Sequence, residues 1–226
     1  MFNNKYSKTL TVILIIVIIG IVGLLIFLGI DVYRKYYIQQ ASGDAAEEFK
    51  NKVTQNKVEE NTTILNDLEP NVDLNTLYQN QTTTGDSGVK YMGYDVIGTI
   101  EIPATDIEYP IIPDEQASIN SLNVAIVMLY PSNIGLNEVG NTVLAGHNYR
   151  NGTFFANNKR LQDGDKIYIT DTSGRRVTYE VYNKYETSTS DSEYMNRDTK
   201  GKREISLTTC TDDTKGRLII WAREVE

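Results

Sequence analysis

An all-β domain, a closed barrel or a sandwich, carried behind a membrane helix is the fold that the sequence predicts. Three observations carry this prediction. From Tyr91 onward, short runs rich in Val, Ile, Thr and Tyr alternate with Gly, Pro, Asp and Asn turn formers, the texture of successive strands. Few stretches in that region are long enough for helices. Ahead of it lie one long apolar segment and a polar connector. A length of 226 residues with 40% hydrophobic content accommodates one sizeable domain plus appendages.

The apolar segment is LTVILIIVIIGIVGLLIFLGI, residues 10–30, 21 consecutive uncharged positions. At about 1.5 Å of rise per residue it reaches roughly 30 Å, the thickness of a hydrocarbon core. A cleaved signal peptide, with its processing site near Ala41 to Gly43, would have an apolar core of about 7 to 15 residues. The greater length favours a retained anchor. Lys5 and Lys8 before the span nearly balance Arg34 and Lys35 after it, so charge alone does not orient it. The head, residues 1–9, is too short to be a domain. It is expected in the cytoplasm, with the rest of the chain outside and the protein resident in the cell membrane as a single-pass chain.

Residues 31–90 are polar, with the helix-friendly ASGDAAEEFKNKVTQNKVEE giving way to the turn-rich NQTTTGDSG. A partly helical stalk ending in a flexible joint is expected. The alternative is a helical subdomain packed on Tyr33, Tyr36, Tyr37 and Ile38.

The domain proper is expected over 91–226, with strands at 94–102, 106–112, 123–129, 141–148, 165–170, 175–187, 203–210 and 217–224. Val177, Tyr179 and Val181 alternate with Thr178, Glu180 and Tyr182, the period of a strand with one buried face. Short helices fit at 115–121 and 154–161. Pro103, Pro110 and Pro113 fall at ends or edges, where a missing N–H is tolerated. Eight strands with few helices fit a closed barrel or a sandwich.

A formal charge of −8 gives no overall basic field for phosphates, which argues against nucleic acid as a partner. One cysteine and one histidine exclude an internal disulfide and are too few soft ligands for a structural zinc site. No metal and no cofactor are expected.

That single cysteine, Cys210, ends the run REISLTTC, and the loop TDDTKG joins it to RLIIWARE. If the two runs pair as a symmetric hairpin, Leu207 faces Ile220 and Ile205 faces Ala222, while Cys210 faces Arg217 on the other side. Ser206, Thr208, Ile219 and Trp221 share the cysteine's face, which reads as the floor of a groove. A guanidinium beside a thiol favours the nucleophilic thiolate and can hydrogen-bond a developing oxyanion. Arginine cannot serve as the base. The one imidazole, His147 in LAGHN, ends another strand and is the candidate for proton transfer. Singly, a lone cysteine is more often an inert small hydrophobe and a lone histidine more often structural. Their combination with Arg217 points to catalysis.

Those residues also carry a resemblance. SLTTC at 206–210, with Arg217 in GRLIIWA, is similar to the TLxTC signature and downstream strand arginine of the sortases. LAGHN, then Gly152, Phe155, Leu161 and GDKI at 164–167, resembles the histidine segment of that family. The likeness covers about 91–226, and Ser206 stands where threonine is common.

The resemblance implies an eight-stranded sortase-like β-barrel outside a Gram-positive cell, acting as a cysteine transpeptidase. Cys210 would attack the Thr–Gly carbonyl of an LPXTG-like sorting signal at the C-terminus of a surface protein and form a thioacyl-enzyme. His147 would pass protons to the leaving amine and from the incoming one, and Arg217 would hold substrate and stabilise the oxyanion. Ser206, Thr208, Thr209 and Trp221 are expected to contact substrate. The acceptor would be a cell-wall precursor or a lysine of a pilin. The sequence has no Asp-Pro-aromatic lid motif and no second apolar span, which favours an anchoring enzyme over a pilin polymerase. A peptidase that hydrolyses its acyl-enzyme, or an anchored scaffold in which all three residues are structural, are the competing readings.

Overall fold

The structure is a computed structural model that describes residues 4–66, 87–131, 135–149 and 151–225. It divides into two compact units, Met1–Gln40 and Ala41–Glu226. One helix, α1 (Asn4–Asn66), runs through the first unit and into the second.

In the first unit the large side chains of 10–30 are exposed all round the helix, and none of the apolar window is buried within the protein. A helix apolar on every face and without a protein partner suits a lipid environment. Its length and composition are those of a helix able to cross a membrane. Tyr33, Tyr36 and Tyr37 are exposed as well, whereas Ile38, grouped with them in the alternative reading, is buried.

The second unit begins well before residue 91. Ala45, Phe49 and Val53 recur four residues apart on α1 and are buried in one cluster with Val89, Tyr91, Val96, Ile112, Ala125 and Val127. The ammonium of Lys50 on the same helix pairs with Glu108, and Lys52 donates to the Gly88 carbonyl at 2.7 Å. The segment from Ala41 to Val53, expected as stalk, is thus part of the barrel unit. Its apolar stripe is narrow and sits among charged residues, so the sequence reads as solvated. The NQTTTGDSG joint lies outside the described residues except for Ser87 and Gly88, and Ser87 is buried with its hydroxyl bonded to Val96 O at 2.5 Å.

Ten strands follow. β1 (Lys90–Tyr91) and β2 (Tyr94–Asp95) make a small hairpin. The others are β3 (Gly98–Ile102), β4 (Ile107–Ile112), β5 (Ile126–Tyr130), β6 (Gly140–Ala145), β7 (Lys166–Asp171), β8 (Arg176–Ser188), β9 (Arg203–Cys210) and β10 (Gly216–Glu224). They close into a barrel in the order β10-β8-β7-β3-β4-β5-β6-β9, so the barrel rather than the sandwich is the fold. The eight expected strands match β3 to β10 closely, with the first broken after Asp95 into β2 and β3. Rows of apolar side chains lie abreast across the sheet: Tyr109, Ile100, Ile169 and Val177 on one side, Leu144, Leu207 and Ile220 on the other. All but Val177 are at most 2% exposed, and Val177 is also buried.

The expected helix at 115–121 is a 3-10 turn, Asp114–Gln116, followed by one turn of α-helix, α2 (Ile119–Leu122), with Ser118 and Ser121 forming a capping box. The expected helix at 154–161 is a turn ending in the 3-10 segment Asn158–Arg160. Two pairings, β4 with β5 and β6 with β9, are parallel. The second of these positions the site.

Candidate active site

The β9–β10 hairpin has the register its sequence requires. Leu207 faces Ile220, Ile205 faces Ala222, and Cys210 faces Arg217. Across that rung Arg217 Nη1 donates to Cys210 Sγ at 3.0 Å. Cys210 is half-buried. Strand alternation sets sulfur and guanidinium on the face opposite Leu207 and Ile220.

His147 reaches the same place by a different route. β6 runs parallel to β9, with Ala145 beside Thr208. Beyond the last pair, Gly146 N donates to Thr208 O at 3.2 Å and Thr209 Oγ1 donates to Gly146 O at 2.7 Å. One residue past His147, Asn148 Nδ2 donates to Cys210 O at 2.8 Å. His147 is therefore held between two residues tied to Thr209 and Cys210, abreast of the cysteine. Its ring stacks on Tyr149 with centroids 4.7 Å apart, and its carbonyl accepts from Phe155 N at 3.0 Å. The Nε2 atom is buried and has no hydrogen-bond partner among the described residues. Burial, and then the positive Arg217, hold the imidazole below its ordinary pKa. Gly146 is required here by space: a Cβ would lie 2.6 Å from Ile126 Cδ1 and 2.9 Å from Phe155 Cδ2.

The structure thus brings Cys210, His147 and Arg217 together. Thr208 lies on their face with its hydroxyl buried and unpartnered among the described residues. Thr209 points to the other face and borders a cavity of about 70 Å³ also lined by Cys210, Asn148, Phe155, Glu186 and Asp212. Ser206 is fully buried, its hydroxyl bonded to Asn141 Oδ1 at 2.8 Å. Trp221 is half-buried under the guanidinium of Arg197. Asn148 was not singled out from sequence; its position next to His147, as a short amide able to reach across to a neighbouring strand, was the available signal. Among the described residues no group of three or more His, Cys, Asp or Glu is placed to hold a metal ion.

The family model for the sortase domain matches residues 100–225, more than half of the chain. The chain belongs to the sortase family. Sortases are cysteine transpeptidases of the cell surface. A sortase C from Streptococcus pneumoniae is similar at 21% identity and TM-score 0.57, over 81% of this chain and 97% of that one. A sortase transpeptidase from Clostridium perfringens is similar at 23% and 0.56, over 83% and 99%. A sortase A from Corynebacterium diphtheriae is similar at 24% and 0.54, over 85% and 96%. No curated protein matches the sequence. At these identities the three structures speak for the barrel of this sortase alone.

Proposed function

We propose that this sortase is anchored in the cell membrane by residues 10–30 and uses Cys210 as its nucleophile on LPXTG-like sorting signals. The 3.0 Å hydrogen bond from Arg217 to the Cys210 sulfur carries this reading. The bond holds the guanidinium beside the attacking sulfur, where its positive charge faces the oxygen on which negative charge develops.

The sulfur attacks the threonyl carbonyl carbon, forming an S–C bond as the carbonyl π pair moves to oxygen. Arg217, next to the sulfur and free to turn its other N–H groups to that oxygen, stabilises the negative charge. Collapse breaks the C–N bond, and His147, an imidazolium after taking the thiol's proton, delivers that proton to the departing glycyl amine. An acceptor amine then attacks the thioester, its proton goes to His147, and the thiolate leaves. Nε2 of His147, buried and without a hydrogen-bond partner among the described residues, is the atom assigned both transfers. Amine acceptors on a cell-wall precursor suit an enzyme held at the membrane.

The test is to incubate residues 41–226 with LPXTG-like peptides, with and without an added amine, and follow products by mass spectrometry. A thioacyl adduct on Cys210, resolved by the amine to a transpeptidation product, is expected. Hydrolysis alone in the presence of amine would make the protein a peptidase, and no adduct on any peptide would remove the substrate assignment.

A further inference from the structure

The turn that follows His147 contains the only Asn-Gly pair in the chain, Asn151–Gly152. Both residues are half-buried, so solvent reaches them. Asn151 Oδ1 accepts twice from one residue: Thr153 N donates to it at 3.1 Å and Thr153 Oγ1 at 2.8 Å. Thr153 is itself buried, which fixes both donors. Gly152 has φ 84°, a left-handed conformation that its missing Cβ permits. Its N–H donates to Tyr149 O at 3.0 Å.

A side-chain amide followed by glycine has a reaction of its own. The next backbone nitrogen, once hydroxide has taken its proton, attacks the amide carbon, and negative charge develops on Oδ1. Donors already aimed at that oxygen stabilise the charge, as they do in acyl transfer. Glycine leaves the approach to its nitrogen unobstructed. Opposing this is the bond from Gly152 N to Tyr149 O, which has to open before the nitrogen reacts. It is a single neutral hydrogen bond, whereas bonds to a charged oxygen are roughly twice as strong as neutral ones. The two on Oδ1 therefore outweigh the one lost.

We infer that Asn151 is a site of spontaneous deamidation in the folded enzyme. Gly152 N bonds to Asn151 Cγ, the Cγ–Nδ2 bond breaks, and the departing nitrogen takes a proton from water and leaves as ammonia, which regenerates the hydroxide. Water then opens the cyclic imide. Cleavage at the side-chain carbonyl gives aspartate, and cleavage at the main-chain carbonyl gives isoaspartate. Isoaspartate adds one methylene to the main chain between two fixed points, the Asn148–Phe154 bridge and the bond from Phe155 N to His147 O at 3.0 Å. A turn closed at both ends cannot absorb it without moving the seat of His147. The modification is independent of the roles proposed for Cys210 and His147, and the loss of turnover that follows it rests on them.

The test is to hold the full chain, purified in detergent, at mildly alkaline pH and to follow Asn151 by peptide mapping, with isoaspartate scored by isoaspartyl methyltransferase. Asn151 is expected to convert to a mixture of aspartate and isoaspartate, at a rate no lower than in the same chain denatured in urea. Thr153→Val, which removes the hydroxyl donor and keeps the N–H, is expected to slow conversion of the folded chain roughly fivefold and to leave the denatured rate unchanged. Asn151→Gln, which would have to close a larger ring, is expected not to convert. As wild type converts, kcat is expected to fall on the order of tenfold, while Asn151→Gln keeps its starting kcat over the same period. An Asn151 that stays intact in the folded chain while the denatured chain converts overturns the inference, as does Thr153→Val converting as fast as wild type. Should Thr153→Val not fold, the comparison of folded with denatured wild type decides alone. Full conversion with kcat unchanged overturns the consequence for turnover. Failure of the Cys210 assignment shows separately, as turnover that survives its complete alkylation, and does not alter the conversion of Asn151.

Discussion

Arg217 and Cys210 face each other on one antiparallel rung, and the guanidinium Nη1 lies 3.0 Å from the sulfur. The rung fixes their backbones, so this hydrogen bond is set by strand register and not by loop conformation. Replacing Arg217 with Gln removes the positive charge from both sulfur and oxyanion. kcat for transpeptidation is expected to fall by about 10² to 10³, with a smaller change in KM, measured by product release from a donor peptide.

Cys210→Ala is expected to abolish the thioacyl adduct and all transfer. The residue is half-buried at a strand end, so the melting free energy should stay within about 1 kcal/mol of wild type. Transfer persisting in this variant, followed by mass spectrometry, would remove the nucleophile.

His147 is the sole histidine, so one Cε1–H resonance reports its titration in protein purified without a histidine tag. Burial and the nearby Arg217 lower its pKa, so its midpoint is expected below the ordinary value of about 6.5. Below that ordinary value the unfolded chain binds the proton more readily than the native one. The stability contributed is therefore fully present above about pH 6.5 and is lost as pH falls through the folded-state pKa. In Arg217→Gln the midpoint moves up, because a repelling charge is gone. A midpoint that does not respond to this substitution would separate the two side chains.

Gly146→Ala tests the support of His147. The added methyl meets the side chains of Ile126 and Phe155 inside contact distance. A shift of the following residue is expected, lowering kcat on the order of tenfold or more with the barrel intact by circular dichroism.

Phe49 on α1 is fully buried in the cluster that includes Val89 and Ile112. Phe49→Ala is expected to destabilise the barrel unit by about 3 to 5 kcal/mol, measured by denaturant unfolding. A chain beginning at residue 91 should melt far below one beginning at residue 41.

What could be read from the sequence divides by range. The strands of β3 to β10 were legible because alternation and turn formers are local, and the symmetric loop between Cys210 and Arg217 made the rung they share derivable. The partnership of His147 with Cys210 was not derivable from pattern, because the parallel pairing of β6 with β9 joins distant segments. Only the scarcity of imidazoles, and the family resemblance, pointed to it. The helix segment holding Phe49 was missed because three apolar residues at four-residue spacing are outnumbered by charged neighbours. Arg197 was missed because an arginine in a polar loop reads as solvated, while its acceptors Tyr182, Glu204, Ser206 and Asn141 lie on three separate strands and the Trp221 ring on a fourth. Thr209, next to Cys210 in sequence and expected to contact substrate, is sent to the opposite face by strand alternation.

Thr209 and Gly146, whose hydrogen bond seats the histidine turn, are 63 residues apart in sequence. Contacts of such separation form late when a chain acquires its structure, since loop closure has to be met before they contribute. Cys210 and Arg217, seven residues apart, meet as soon as the β9–β10 hairpin forms, whereas the histidine turn is seated only when β6 has paired with β9. The proton transfer proposed for His147 in this way waits on the closing of the barrel.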